Sequence, residues 1–278
     1  MLPASIQITG EQLSAAEVQD ICESLKEDGV RLLSVRGCQL SDRDFGRLNL
    51  NLGVVSGAGR ARHLADALKT NRSLQTLFLH GNPLCDAGLV ALNAALSTHP
   101  ALVSLDLGDG SLGDRALGLV CGLLPPDGAK SGLRELTLSA NPGISSKGWA
   151  RLAIAVAHSS QLRVLNLDYN PLGDQIAGML AVAVASSRTL EVLDLEGTGL
   201  TNQSAQVFLD MVENYPTCLR VLVLAENDIS PELQQQICDL LSDDEPGPAS
   251  TWFCPNSSPQ MVLLTSGLGE SLLAETEM

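Results

Sequence analysis

Residues 162–172 read LRVLNLDYNPL and residues 74–84 read LQTLFLHGNPL, two copies of one string, L-x-x-L-x-L-x-x-N-x-L. The two-residue spacing in the middle of the string is that of a strand whose alternate side chains share a face. Leu165 and Leu167 therefore point inward, while Val164, Asn166 and Asp168 point outward. A strand this short cannot bury its own apolar side. The rest of the chain supplies what it needs by repetition.

Anchoring on the second apolar position of the string gives Ile6, Leu33, Leu48, Leu77, Leu105, Leu136, Leu165, Leu193 and Leu222. The successive intervals are 27, 15, 29, 28, 31, 29, 28 and 29 residues, a period that marks a stacked-repeat architecture. Between the strings the apolar residues change to helical spacing, as in Leu64, Ala67 and Leu68, or Ile176, Met179, Leu180 and Ala183. Helix starts carry capping residues: Ser14 with Glu17, Ser41 with Asp44, and Ser230 ahead of Pro231. Each unit is thus a strand followed by a helix. The polar residues at the ninth position, Cys38, Asn82, Asn141, Asn170, Thr198 and Asn227, are placed to bond backbone groups at the turn and form a ladder from unit to unit.

This pattern predicts an α/β solenoid, a horseshoe with a parallel concave β-sheet and outer helices, of about nine units over residues 1–242. Residues 243–278 lack the repeat, open with DDEPGPAS and are expected to form an acidic, disordered tail. The interval from Leu33 to Leu48 holds only half a unit. A parallel crossover needs roughly a dozen residues, so a tight irregular connection is expected over 37–47.

The 28- or 29-residue period with a helix in each unit, and strings such as LDLEGTGLTNQSAQ at 193–206, resemble the ribonuclease-inhibitor-like class of leucine-rich repeats across 1–242. The resemblance implies protein binding on the concave side or its rim. The class includes ribonuclease inhibitors, activators of the Ran GTPase and the sensing domains of nucleotide-binding innate receptors. An interaction scaffold and a regulator of a partner enzyme, either a GTPase activator or a ribonuclease inhibitor, are therefore both open. Rates of Ran GTP hydrolysis and of a pancreatic-type ribonuclease, measured with the chain added, separate them.

Composition narrows the partners. A net charge of −15 disfavours nucleic acid and anionic membranes, which attract clustered Lys and Arg, and favours a protein with a basic or neutral surface. The start MLPASIQITGEQL has no secretory signal pattern, and the longest apolar runs, such as AGMLAVAVA at 177–185, are too short to span a bilayer. Seven scattered cysteines without a C-x-x-C pair read as reduced thiols of a cytoplasmic or nuclear protein. No H-E-x-x-H, G-x-S-x-G or P-loop string occurs, so no enzyme activity, cofactor or metal is expected. Thr276 and Met278 place the end of the chain in the pattern of a weak PDZ ligand.

Strand alternation applied to every unit yields the concave face. Its first part presents Gln7, Thr9, Ser34, Arg36, Arg47, Asn49, Asn51, Phe78 and His80, with some positive charge and one exposed aromatic. From Asp106 onward the outward positions carry Asp106, Glu135, Asp168, Asp194 and Glu196 with Thr137, Ser139 and Asn166, and no Lys or Arg. A partner-binding stripe of Phe78, His80, Asp106, Glu135, Asp168, Asp194 and Glu196 for a basic segment is the functional expectation, against plain solvated surface.

Overall fold

Eight of the nine anchors lie side by side in one row: Ile6, Leu33, Leu77, Leu105, Leu136, Leu165, Leu193 and Leu222 are successive partners across the sheet. The structure, a computed structural model, describes residues 5–9, 15–26, 29–36, 58–124 and 132–242. Within them the strands β1 (Ser5–Thr9), β2 (Leu32–Arg36), β3 (Thr76–Phe78), β4 (Ser104–Asp106), β5 (Glu135–Thr137), β6 (Val164–Asn166), β7 (Val192–Asp194) and β8 (Val221–Val223) form a single parallel sheet in chain order. The ninth anchor, Leu48, and the crossover over 37–47 lie outside the described residues. β2 is hydrogen-bonded directly to β3 in the sheet. Arg47, Asn49, Asn51 and the tail after residue 242 are also outside.

Helices connect the strands, for example Cys85–Leu96, Ser146–His158, Gly173–Ser186 and Asn202–Asn214. The core runs between sheet and helices. Leu165, Leu167, Leu193 and Leu195 are fully enclosed from the strand side, as are Ala177 and Leu180 from the helix side. Each such leucine contributes about 2 kcal/mol relative to exposure. Met179 departs from the expected inward stripe and is 39% exposed. The buried arc of its helix is turned toward Ala177 and Ala181, which carries Met179 out of it.

The turn after each of the strands β3 to β8 is built the same way. Gly81, Asp109, Ala140, Tyr169, Gly197 and Glu226 all have positive φ, between 45° and 72°. For a residue other than glycine this conformation costs roughly 1–2 kcal/mol. The expected Asn ladder holds it in place. Asn141 donates from Nδ2 to the carbonyls of Leu107, Leu138 and Ser139, while its Oδ1 accepts from Leu112 N–H. Asn170 repeats this on Leu138 and Leu167 and accepts from Asn141 N–H. Asn82 and Asn227 make the equivalent bonds.

A second ladder runs along the helix starts. Asp114 accepts from the backbone N–H and hydroxyl of Ser145 (2.8 and 2.6 Å), and Ser145 in turn accepts from Gly148 N–H and caps its helix. Asp174 does the same for Thr201 and also takes the hydroxyl of Ser204. Asp86 reaches Gly113 N–H, and Asn202 reaches Ser230 N–H. The cap expected at Ser230 is present, its hydroxyl accepting from Leu233 N–H. Adjacent units are thereby joined at the sheet, at the turn and at the helix cap.

Candidate protein-binding face

Two outward rows cross the concave face. The first follows the strand register through Ser34, Phe78, Asp106, Thr137, Asn166, Asp194 and Val223. Two residues further along each chain segment, alternation places Arg36, His80, Gly108, Ser139, Asp168, Glu196 and Ala225 in the second.

The side chains on these rows are far more enclosed than solvated strand positions would be. Phe78, expected as an exposed aromatic, is 3% exposed, with the Arg36 guanidinium 4.5 Å above its ring. Asp106, Asp168, Asp194 and Glu196 are likewise buried, which corrects the picture of a solvated stripe. The reason is geometric. Neighbouring strands lie about 4.8 Å apart, and on the inside of a curved sheet side chains converge, so each covers the next.

The expected site residues fall into two groups. Around β3 and β4, Asp106 is a hub: its Oδ1 lies 3.3 Å from His80 Nδ1 and accepts from Gly108 N–H at 2.9 Å, and its Oδ2 is 3.8 Å from Arg36. The Asp106 contact holds the His80 imidazole above its ordinary pKa, overcoming the opposing effect of burial. The negative charge of Asp106 is thus answered inside the molecule.

Around β6 and β7 the situation is different. Asn166 Oδ1 accepts from Asp168 N–H (2.9 Å) and from the Ser139 hydroxyl (3.3 Å), and Asp194 Oδ1 accepts from Glu196 N–H (3.0 Å). Asp168 Oδ1 and Asp194 Oδ2 are buried with no hydrogen-bond partner. Burial pushes the Asp194 carboxyl up to about 7, with the charges of Asp168 and Glu196 adding to it. Burial also raises Asp168, reinforced by Glu196 and opposed by Ser139 and His80. Glu135 belongs to neither group. It stands one row earlier, across from Ser104 and Val164, half-buried and raised by burial.

Tyr169 was not among the sequence candidates. It is 48% exposed at the left-handed turn position, and its hydroxyl donates to Glu196 Oε1 (2.5 Å) and lies 3.3 Å from Glu226 Oε2. These bonds hold its phenol well above the ordinary tyrosine range. The room for its ring comes from Gly197, where an added Cβ would fall 2.8 Å from the tyrosine ring. An aromatic followed one unit later by glycine at the same turn position was the available signal.

Among the described residues, no group of three or more His, Cys, Asp or Glu could hold a metal ion, and no helix is long and apolar enough to cross a membrane. Cys22, Cys85, Cys121 and Cys218 are free thiols. At β6 and β7 the face thus gathers two buried carboxyl groups, Asp168 and Asp194, both raised above the ordinary aspartate range by burial.

One unit of the solenoid, residues 158–181, matches the family model described as Leucine Rich repeat. With the repeated strand, turn and helix, this defines the class as a leucine-rich-repeat α/β solenoid. Within that class the chain belongs to the family of leucine-rich repeat-containing protein 73. The Homo sapiens protein of that name is 69% identical over an alignment of 316 positions covering the whole of both chains, and the Rattus norvegicus protein is 68% identical. A more distant relative, NACHT, LRR and PYD domains-containing protein 3 of Macaca mulatta, is 34% identical over 48% of this chain and 13% of its own length. Among solved structures, the tropomodulin C-terminal domain of Caenorhabditis elegans overlaps 65% of this chain and 90% of its own at 14% identity, with a TM-score of 0.36. An internalin of Listeria monocytogenes covers 84% of each chain at 14% identity and a TM-score of 0.31. Overlaps this loose add nothing to the assignment.

Proposed function

We propose that the chain is a non-catalytic interaction scaffold that binds a protein partner through a basic segment laid on its concave face. The family supports a protein-binding role in general terms. The observation that carries the finer reading is the charge balance along the face. Asp106 is met by Arg36 and His80, whereas Asp168, Asp194 and Glu196 share β6 and β7 with no basic residue on either outward row beyond His80. Like charges in such a row repel and are relieved by an incoming cation.

The test has two stages. Partners are first captured on the full chain and identified by mass spectrometry. Affinity for each is then measured at low and moderate salt for the wild type and for a Glu135→Gln, Asp168→Asn, Glu196→Gln variant. A partner of this face loses affinity with salt and with the variant. Affinity unchanged in both comparisons moves the interface off the concave face.

A further inference from the structure

We infer that Asp168 and Asp194 together form the seat for one cationic side chain, an arginine or lysine of a protein partner, at the β6 and β7 end of the concave face. This deepens the docking reading above and rests on it. The argument comes from comparing equivalent residues in three units. Asp106, Asn166 and Asp194 occupy the same outward row, and each uses Oδ1 to accept the backbone N–H two residues on, at 2.9, 2.9 and 3.0 Å. The turn therefore needs a side-chain oxygen, and it does not need a charge, since Asn166 performs the task as an amide. At Asp106 the extra charge is used internally, by Arg36 and His80. At Asp194 it is not.

Asp194 is 1% exposed and Asp168 7% exposed, yet Asp194 Oδ2 and Asp168 Oδ1 lack any hydrogen-bond donor. Both side chains leave the sheet on its concave side, because their strand neighbours Leu193, Leu195 and Leu167 point into the core. A buried carboxylate oxygen without a donor is unfavourable, and the remedy that suits two such oxygens on adjacent strands is a donor carrying positive charge. A guanidinium carries N–H donors enough for both oxygens. A metal ion is the poorer fit, as the described residues contain no set of three ligands for one. Both oxygens are shielded in the free protein, so the seat requires neighbouring side chains to turn aside for a cation to enter.

The experiment uses the full chain and a fluorescein-labelled hexa-arginine peptide at neutral pH and low salt. Four proteins are compared: wild type, Asp168→Asn with Asp194→Asn, Glu135→Gln with Glu196→Gln, and a control that removes two exposed charges elsewhere, Asp66→Asn with Glu213→Gln. Circular dichroism reports that each is folded, which the seat variant should be because Asn166 shows that an amide satisfies the turn. The expected result is a loss of roughly tenfold in affinity for the seat variant and less than about twofold for the control. Equal losses in seat variant and control overturn the seat. A seat variant that binds like wild type while Glu135→Gln with Glu196→Gln weakens binding overturns the seat and leaves concave docking standing. No binding of the peptide by wild type overturns both.

Discussion

The imidazole of His80 fills the space above Gly108: a Cβ built on that glycine would fall 2.2 Å from His80 Nδ1. The absence of a side chain at residue 108 is what lets the ring reach Asp106. Glycine is used here for room and not for its backbone, since its φ is not positive.

Gly108→Ala is expected to displace His80 and lower its raised pKa toward the ordinary value, read by NMR titration of the imidazole. A raised folded-state pKa stabilises the protein below about pH 6.5, and that stability is lost as pH rises through the folded value. The variant should lose about 1–2 kcal/mol by overpacking and show a flatter pH dependence between pH 6 and 8. An unchanged His80 titration contradicts the contact.

Asn141→Ala removes three donated bonds and one accepted bond at a fully buried site. Urea denaturation should register a loss of about 2–4 kcal/mol. A loss below about 1 kcal/mol, the scale of one ordinary net hydrogen bond, would mean that the ladder is not what holds the turns.

At the neighbouring left-handed position, Ala140→Gly should stabilise the protein by about 0.5–1 kcal/mol, the relief of a conformation disfavoured for alanine less the entropy glycine adds to the unfolded chain. Gly81 and Gly197 already occupy this place in other units. A destabilised Ala140→Gly variant would show that the alanine methyl is wanted for packing.

The cap relay is tested by acid. Hydrogen bonds from Ser204 first, and from Thr201, hold the Asp174 carboxyl below its ordinary pKa. Its stabilisation is present above the unfolded value of about 4 and lost as pH falls through the folded one. Asp174→Ala should cost about 1–2 kcal/mol near neutrality, and the gap to wild type should close at low pH in urea titrations. A gap that does not narrow as pH falls below the unfolded value contradicts the relay.

Much of this was visible in the residues before any coordinates. The anchors from Ile6 to Leu222, apart from Leu48, fall in one register row, and the ladder residues Asn82, Asn141, Asn170 and Asn227 make the bonds their spacing implied. Alternation alone placed Asp106, Asp168, Asp194 and Glu196 on the concave face. It did not reveal their burial, because enclosure depends on how far the sheet curves, which no single unit encodes. Nor did it separate the neutralised Asp106 from Asp194, since the distinction lies in Arg36, seventy residues before Asp106 in the chain and two strands away in space. The helix-cap ladder was legible in retrospect: Asp86, Asp114, Asp174 and Asn202 recur at the same point of their units.

Inside the molecule no donor answers Asp194 Oδ2. Burial raises its carboxyl to about 7, while an unfolded aspartate titrates near ~4. The native state therefore holds an extra proton between those values, and stability falls as pH rises through that window. The measurement is urea stability of wild type and Asp194→Asn from pH 4.5 to 8. The two should agree near pH 4.5, and Asp194→Asn should become the more stable by on the order of 2–3 kcal/mol above pH 7. A variant no more stable than wild type at pH 8 would mean that the charge is already satisfied within the fold, and the reason to look for a partner's cation at this site would be gone.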